Sequence, residues 1–301
     1  MITVLVGGQD TLKILSGMRS ILDDHQVTVV CSTADGRWGP SGLALPTIDS
    51  VIYLYAGIIN ERNWQGIDGD TSITGKTLER IGYPEYPSYG DRERALHIMR
   101  SVLLDGGESL TRAVMNGAAG YHVEASVLPV ADSIPETLVS TSTGESLSLP
   151  DYREMYGEER PDHACSLIIR RPPPATDAVI QAVSDADVVI IGPGNPVSSL
   201  VTILACKGMK EALRETNVVA YAPYTRERAA GWREKQYEKP EHMTFPFFDG
   251  YADVLIADTR DPAIIDGALR MDTRTDTKRQ RESHAWDLLA TIRSLTIKGR
   301  Q

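Results

Sequence analysis

Residues 187–200 read Asp187-Val188-Val189-Ile190-Ile191-Gly192-Pro193-Gly194-Asn195-Pro196-Val197-Ser198-Ser199-Leu200. The unbroken β-branched run Val188 to Ile191 has the composition of a short strand buried on both faces. It stops at a turn of glycines and prolines. Glycine permits backbone angles closed to other residues and lets a ligand approach the main chain, and proline stiffens the turn and forbids an immediate helix. Ser198 and Ser199 then precede a helix-compatible run, Leu200 to Leu213. A strand end that meets a Gly-rich turn and a helix start offers free N–H groups and a favourable dipole to an anion. The stretch therefore reads either as a phosphate site or as an ordinary strand-to-helix turn.

The same pattern opens the chain. Thr3 to Val6 is an apolar run ending at Gly7-Gly8. Leu12, Leu15, Met18 and Leu22 then repeat at helical spacing, and Val27 to Cys31 is a second apolar strand. Together they predict a parallel strand–helix–strand unit. Further on, the spacing predicts helices over Ile48–Ile59, Thr74–Ile81, Ala95–Leu104, Leu110–Gly117 (capped by Ser109), Asp177–Ser184 and Ser283–Ile297. Strands are expected at Val123–Val130, Leu138–Thr141, Ser146–Leu149, Ser166–Arg170, Val218–Tyr221 and Tyr251–Ala257. Gly36 to Pro46 reads as a loop, and Asp151 to Asp162 as a charged surface segment. The alternation argues for an α/β fold: one Rossmann-like domain over 1–301, an open and mostly parallel sheet with helices on both faces, and an irregular insertion near 131–174. Ligands in such sheets sit at the carboxyl ends of the strands.

Composition narrows the function. With 301 residues and 42% hydrophobic content the chain can bury a large core. No apolar run approaches the roughly 18 residues of a membrane span, and Met1–Val6 reads as a first strand, not a signal peptide. Cys31, Cys165 and Cys206 are odd in number and far apart, which argues against a disulfide framework and fits a reduced cytoplasm. A net charge of -10 disfavours binding to nucleic acid or anionic membranes. The first loop lacks G-x-G-x-x-G, which argues against a dinucleotide-dependent redox enzyme.

In order along the chain, Gly7-Gly8, Asn60-Glu61-Arg62-x-Trp64-x-Gly66-Ile67, Gly90-Asp91-Arg92 with Ala95 and His97, and Gly192-Pro193-x-Asn195-Pro196 resemble the 2-phospho-L-lactate transferase family. That family acts in deazaflavin coenzyme F-420 biosynthesis in methanogens and some actinobacteria. The resemblance implies a magnesium-dependent transferase. Its donor is a guanosine diphosphate activated phospho-acid such as lactyl diphosphoguanosine, its acceptor the terminal ribityl hydroxyl of a deazaflavin, and GMP leaves. A cytoplasmic homodimer is implied. So are Gly7, Gly8, Thr11, Lys13, Asp49, Asp91, Arg92, Gly192, Pro193, Gly194, Asn195 and Pro196 as substrate-binding residues, Asp49 as the catalytic acid, and Asp35 and Asp49 as magnesium ligands.

The chain departs from the family pattern in several places. Gln9-Asp10 replaces Thr-Gly in the first loop. Gly36 and Thr47 stand where further acids are expected, leaving Asp35 and Asp49. Ser88 replaces a basic residue, and Ala131-Asp132-Ser133 replaces Ser-Asp-Asp. These changes keep a second reading open: a non-catalytic or altered-substrate relative that binds a guanine nucleotide or a deazaflavin. His97 reads as a structural histidine, and Tyr83, Tyr86 and Tyr89 as packing residues.

Overall fold

The computed structural model describes residues 1–85, 87–141, 143–156, 164–194, 200–222, 250–261, 265 and 267–294. The chain begins β1 (Ile2–Leu5), α1 (Gln9–Met18), β2 (Val27–Cys31), β3 (Arg37–Gly39), β4 (Gly42–Ala44), α2 (Pro46–Tyr55), α3 (Ile73–Arg80), α4 (Asp91–Asp105) and α5 (Leu110–Gly120). It continues through β5 (Ser126–Pro129), β6 (Glu136–Thr141), β7 (Ser146–Ser148), α6 (Leu149–Tyr156), β8 (Ala164–Arg170), α7 (Asp177–Ser184) and β9 (Val188–Ile191). Then come α8 (Val201–Leu204), α9 (Met209–Arg214), β10 (Val218–Tyr221), β11 (Val254–Asp258), β12 (Leu269–Met271) and α10 (Lys278–Ser294).

Seven strands form one sheet in the order β12-β11-β10-β9-β1-β2-β5, and every neighbouring pair is parallel. Ile2 stands beside Val27 on one side and Val188 on the other, so the three apolar runs read from the sequence share one parallel sheet. Strand order reverses between β1 and β9, the switch point where crevices open at the carboxyl ends of parallel strands.

The strand period of two divides the core. Val4, Val29, Val188 and Ile190 face one side, with apolar residues of α1, α2, α4, α5 and α10. Leu5, Val30, Val189 and Ile191 face the other, against α7, α8 and α9. Burying both faces explains why β9 is a continuous apolar run. No helix among the described residues is long and apolar enough to cross a membrane.

Three local expectations are corrected. The Gly36–Pro46 loop contains the β3–β4 hairpin, whose strands pair antiparallel from Arg37–Ala44 to Gly39–Gly42. The expected long helix Leu200–Leu213 is two helices, because Gly208, at φ +93°, takes the left-handed conformation that starts α9. Among the described residues of 131–174, where an irregular insertion is expected, β7-β6-β8 make an antiparallel sheet with α6 beside it.

Candidate functional site

The two glycine turns interlock at the switch point. Gly7 N–H donates to Thr11 Oγ1 at 3.0 Å, and that hydroxyl donates to the Pro193 carbonyl at 2.7 Å. A Cβ on Gly194 would lie 1.6 Å from Gly7 O, one on Gly7 2.6 Å from Gly192 O, and one on Gly192 2.4 Å from Thr11 Oγ1. Gly8, at φ +147°, caps α1 with no side chain. The turns therefore need glycine in order to pass each other. The Thr11 hydroxyl is committed to this junction, and Lys13 Nζ pairs with Asp10 Oδ1 at 3.0 Å. Asn195 and Pro196 lie outside the described residues.

The neighbouring strand end is tied to the same junction. Ser32 Oγ lies 2.6 Å from Thr202 Oγ1 of α8. Asp35 follows, buried, beside the first turn of α2. Its Oδ2 accepts from Thr47 N–H at 2.9 Å and Thr47 Oγ1 at 2.7 Å, so it caps that helix. Thr47 stands where the resemblance implies a second acid; here it holds the acid that is present. Asp35 Oδ1 is buried and makes no hydrogen bond. Arg153 of α6 approaches from the antiparallel sheet, its Nη1 3.8 Å from Asp35 Oδ2.

Asp49 is placed differently from expectation. It is 2% exposed and accepts four hydrogen bonds. Arg100 Nη2 donates to Oδ1, while Oδ2 takes Arg100 Nη1 at 3.3 Å, His97 Nε2 at 3.1 Å and Leu45 N–H at 3.2 Å. Four is the full acceptor capacity of a carboxylate. Burial alone would raise the Asp49 pKa, but Arg100 and His97 together hold it below the usual carboxylate range. The surroundings therefore do not fit Asp49 as a metal ligand or as an acid touching substrate. They fit an anionic pin that joins α4 to the start of α2. Sequence reasoning missed Arg100. The available signal was the spacing of Arg94, His97 and Arg100, charged side chains at core positions of one helix. Arg94 is likewise buried and pairs with Glu85 and Ser41.

The Gly90-Asp91-Arg92 motif opens α4 and is built from exchanged caps. Asp91 accepts from Ile73 N–H and Thr74 N–H, both at 2.9 Å, capping α3. Asp70 accepts from Arg92 N–H at 3.0 Å and Glu93 N–H at 3.2 Å, capping α4. A Cβ on Gly90 would sit 2.1 Å from Asp70 Oδ2. Hydrogen bonds from Thr71, Thr74 and Ile73 hold the Asp91 carboxyl well below its ordinary range. Asp91 is thus engaged with protein groups, while the Arg92 side chain is exposed. In the Asn60–Ile67 segment, Trp64 is buried at φ +56° with Arg281 of α10 over its ring at 5.0 Å. That segment docks the closing helix.

The chemistry left open is centred on Asp35. Tyr89 packs edge-on against His97 at 4.7 Å. Burial, then Asp49 and Asp35, push its phenol well above the ordinary value. Burial, then Asp35 and Asp49, also push the Cys31 thiol up, so it is not a thiolate nucleophile. Among the described residues, no three His, Cys, Asp or Glu side chains gather as a preformed metal site. One orphaned carboxylate oxygen, Asp35 Oδ1, fits the way magnesium is often held, through one or two carboxylates plus substrate phosphates and waters.

Comparison with known proteins agrees with this architecture. The family described as 2-phospho-L-lactate transferase CofD matches residues 2–295. The 2-phospho-L-lactate transferase of Methanocorpusculum labreanum is 38% identical, covering 96% of this chain and 98% of its own. That of Methanospirillum hungatei is 35% identical, covering 92% and 95%. Among solved structures, a UPF0052 family protein from Bacillus halodurans superposes with a TM-score of 0.56 at 13% identity, covering 90% of this chain and 91% of that one, a likeness of fold.

Proposed function

The chain belongs to the 2-phospho-L-lactate transferase CofD family, and from that premise we propose that it transfers a 2-phospholactate-type group from a guanosine diphosphate activated donor to the ribityl hydroxyl of a deazaflavin, in coenzyme F-420 biosynthesis. The hydroxyl oxygen attacks the phosphorus that carries the acid. The bond from that phosphorus to the bridging oxygen breaks, GMP leaves with the electron pair, and the hydroxyl proton passes to a base or to water. Such a reaction is accelerated mainly by positioning and charge neutralisation.

The observation that carries this reading is the buried, unpartnered Asp35 Oδ1 one strand from the interlocked glycine turns. In this reading the turns and the start of α1 bind the donor's phosphates, with Lys13 and Arg92 as cations of the substrate site. Asp35 faces the reacting hydroxyl or a cation. Asp49 is a positioning residue: through Arg100 and His97 it fixes the first turn of α2, and Thr47 in that turn orients Asp35. Magnesium, when bound, would be held through Asp35 Oδ1 and the donor's phosphate oxygens and would neutralise diphosphate charge. A homodimer belongs to the same proposal and is measured by light scattering. The reaction is tested by incubating purified protein with lactyl diphosphoguanosine, deazaflavin and magnesium and measuring GMP. Release dependent on both substrates is expected.

The small number of open carboxylate oxygens favours one alternative, a relative that binds guanine nucleotide without chemistry. It predicts nucleotide binding that chelator does not weaken, and no GMP release.

A further inference from the structure

Residues 136–170 form a module apart from the two cores of the parallel sheet. Strands β6, β7 and β8 and helix α6 enclose a small apolar cluster of their own. Val139, Leu149 and Tyr152 make it, with Leu147 and Leu167 at its edge, and Ala34 enters it from the main domain. The chain on either side of the module is tied to that domain. Asp132 Oδ1 accepts from Thr111 N–H and Thr111 Oγ1, both at 2.7 Å, and Thr33 Oγ1 donates to the Ser133 carbonyl at 2.9 Å. Ile134 packs beside Gly36 and Leu45. On the return, Lys207 N–H donates to the Pro173 carbonyl at 3.0 Å and Thr176 N–H to the Val130 carbonyl at 3.1 Å. Between these ties the chain enters the module at Pro135 and leaves it at Arg171-Pro172. Arg171 holds a left-handed φ of +48°, a conformation that residues other than glycine rarely adopt. Two fixed anchors, each beside a sharp and stiff crossing, are the layout of a hinge.

The contacts that hold the module down at α6 are weak ones. Leu149 and Tyr152 rest on Ala34, and Arg37 of β3 pairs with both Asp151 and Glu154. The side chains of Arg37, Asp151 and Glu154 are 26%, 46% and 37% exposed, and ion pairs open to water contribute little each. Beneath α6 lies Asp35, two residues before Arg37. Arg153 of α6 stands 3.8 Å from Asp35 Oδ2, and Asp35 Oδ1 is buried. Two other walls around Asp35 are fixed. Thr47 belongs to the α2 turn pinned through Asp49, and Ser32 is joined to Thr202 of α8. A buried oxygen that is to meet a hydroxyl or a cation needs a cover that opens, and α6 is the wall free to lift.

We propose that residues 136–170 are a hinged cap that lifts to admit the donor to Asp35 and closes over it, with Arg37 as the latch. The proposal rests on the reading of Asp35 as the working acid of a nucleoside diphosphate site. Closure expels water, which strengthens charge interactions at the diphosphate and keeps water from competing with the acceptor hydroxyl. Arg37 is a positioning residue in this scheme, since it acts through the acids of α6. Its weak, partly exposed pairs suit a latch that must open in each turnover.

The test is amide hydrogen exchange, read peptide by peptide, on native protein, Arg37→Gln and Glu154→Gln, each with and without guanosine diphosphate and magnesium. Without the nucleotide, α6 and β6 to β8 should exchange together, about tenfold or more faster than β1, β2 and β9. Arg37→Gln removes both pairs and should speed that unit about fivefold, with the parallel sheet unchanged. Glu154→Gln leaves the Asp151 pair and should speed it less; it also serves if Arg37→Gln fails to fold. Guanosine diphosphate with magnesium should slow exchange in α6 together with the Gly7-Gly8 turn. A module that opens only with the parallel sheet, or that neither substitution quickens, would overturn the cap. Guanosine diphosphate that slows the glycine turn and leaves α6 unchanged would overturn closure over the donor and leave the functional reading standing. Guanosine diphosphate that slows neither would overturn the reading itself and the inference with it.

Discussion

Arg100 spans the carboxylate of Asp49, with Nη2 on Oδ1 and Nη1 3.3 Å from Oδ2, while its Nη1 also donates to the Leu43 carbonyl at 2.8 Å. One buried guanidinium thereby holds the β4–α2 corner against α4. The resemblance implies Asp49 as a catalytic acid and magnesium ligand. The structure makes it one half of a buried ion pair, whose disruption strands the other charge.

Asp49→Asn is therefore expected to destabilise the protein by about 3–5 kcal/mol, since one partner of a buried pair is lost. Chemical denaturation checks this. The pair also sets the acid limb of stability. The folded-state pKa of Asp49 lies below its ordinary 3.8, because Arg100 and His97 outweigh burial. Its contribution is full above the unfolded value and is lost as pH falls through the folded one. Native protein should lose stability steeply below pH 3.8, and Asp49→Asn should flatten that limb.

A second pH dependence comes from His284. Its Nε2 lies within hydrogen-bond distance of the Tyr221 hydroxyl, at 2.7 Å, and burial keeps that phenol protonated. Burial lowers the His284 pKa from 6.5, against opposing contributions from Asp272, Asp287 and Asp258. The folded protein then binds this proton less readily than the unfolded chain, so stability is full above pH 6.5 and falls as pH drops toward the folded value. Melting curves between pH 7 and pH 5 should show the decline, and His284→Asn should reduce its slope.

The switch-point junction makes a steric prediction. Gly194→Ala places a methyl 1.6 Å from a backbone oxygen that no rotamer change can move. It should leave little folded protein, as read by circular dichroism and soluble yield. Thr11→Val removes only the hydroxyl between Gly7 and Pro193 and should cost about 1–3 kcal/mol, the scale for stranding buried polar groups.

Much of the fold was legible because its strands are buried on both faces. The runs Val27–Cys31, Val188–Ile191 and Val218–Tyr221 coincide with strands β2, β9 and β10. The hairpin at Arg37–Ala44 was hidden because its short strands carry glycines and an exposed Trp38 in place of an alternating pattern. The site was less legible, for a reason of distance. Asp91 looks like a ligand until Asp70, far back along the chain, is seen capping the opposite helix. Asp49 looks open until Arg100 closes on it. Arg153 sits in a segment read as surface insertion, and only the antiparallel sheet brings it to Asp35. Residue type and spacing record which groups are present; which carboxylate oxygens remain unpaired depends on long-range packing.

The most direct measurement is the rate of GMP release by Asp35→Asn at saturating donor, deazaflavin and magnesium, beside native protein. Asparagine keeps an acceptor oxygen for Thr47, so α2 stays capped and the melting temperature should hold. The rate should fall about 100-fold or more, the scale of a key electrostatic group. A folded Asp35→Asn protein that releases GMP at the native rate would contradict the central claim that the unpartnered oxygen of Asp35 is the working acid of this site.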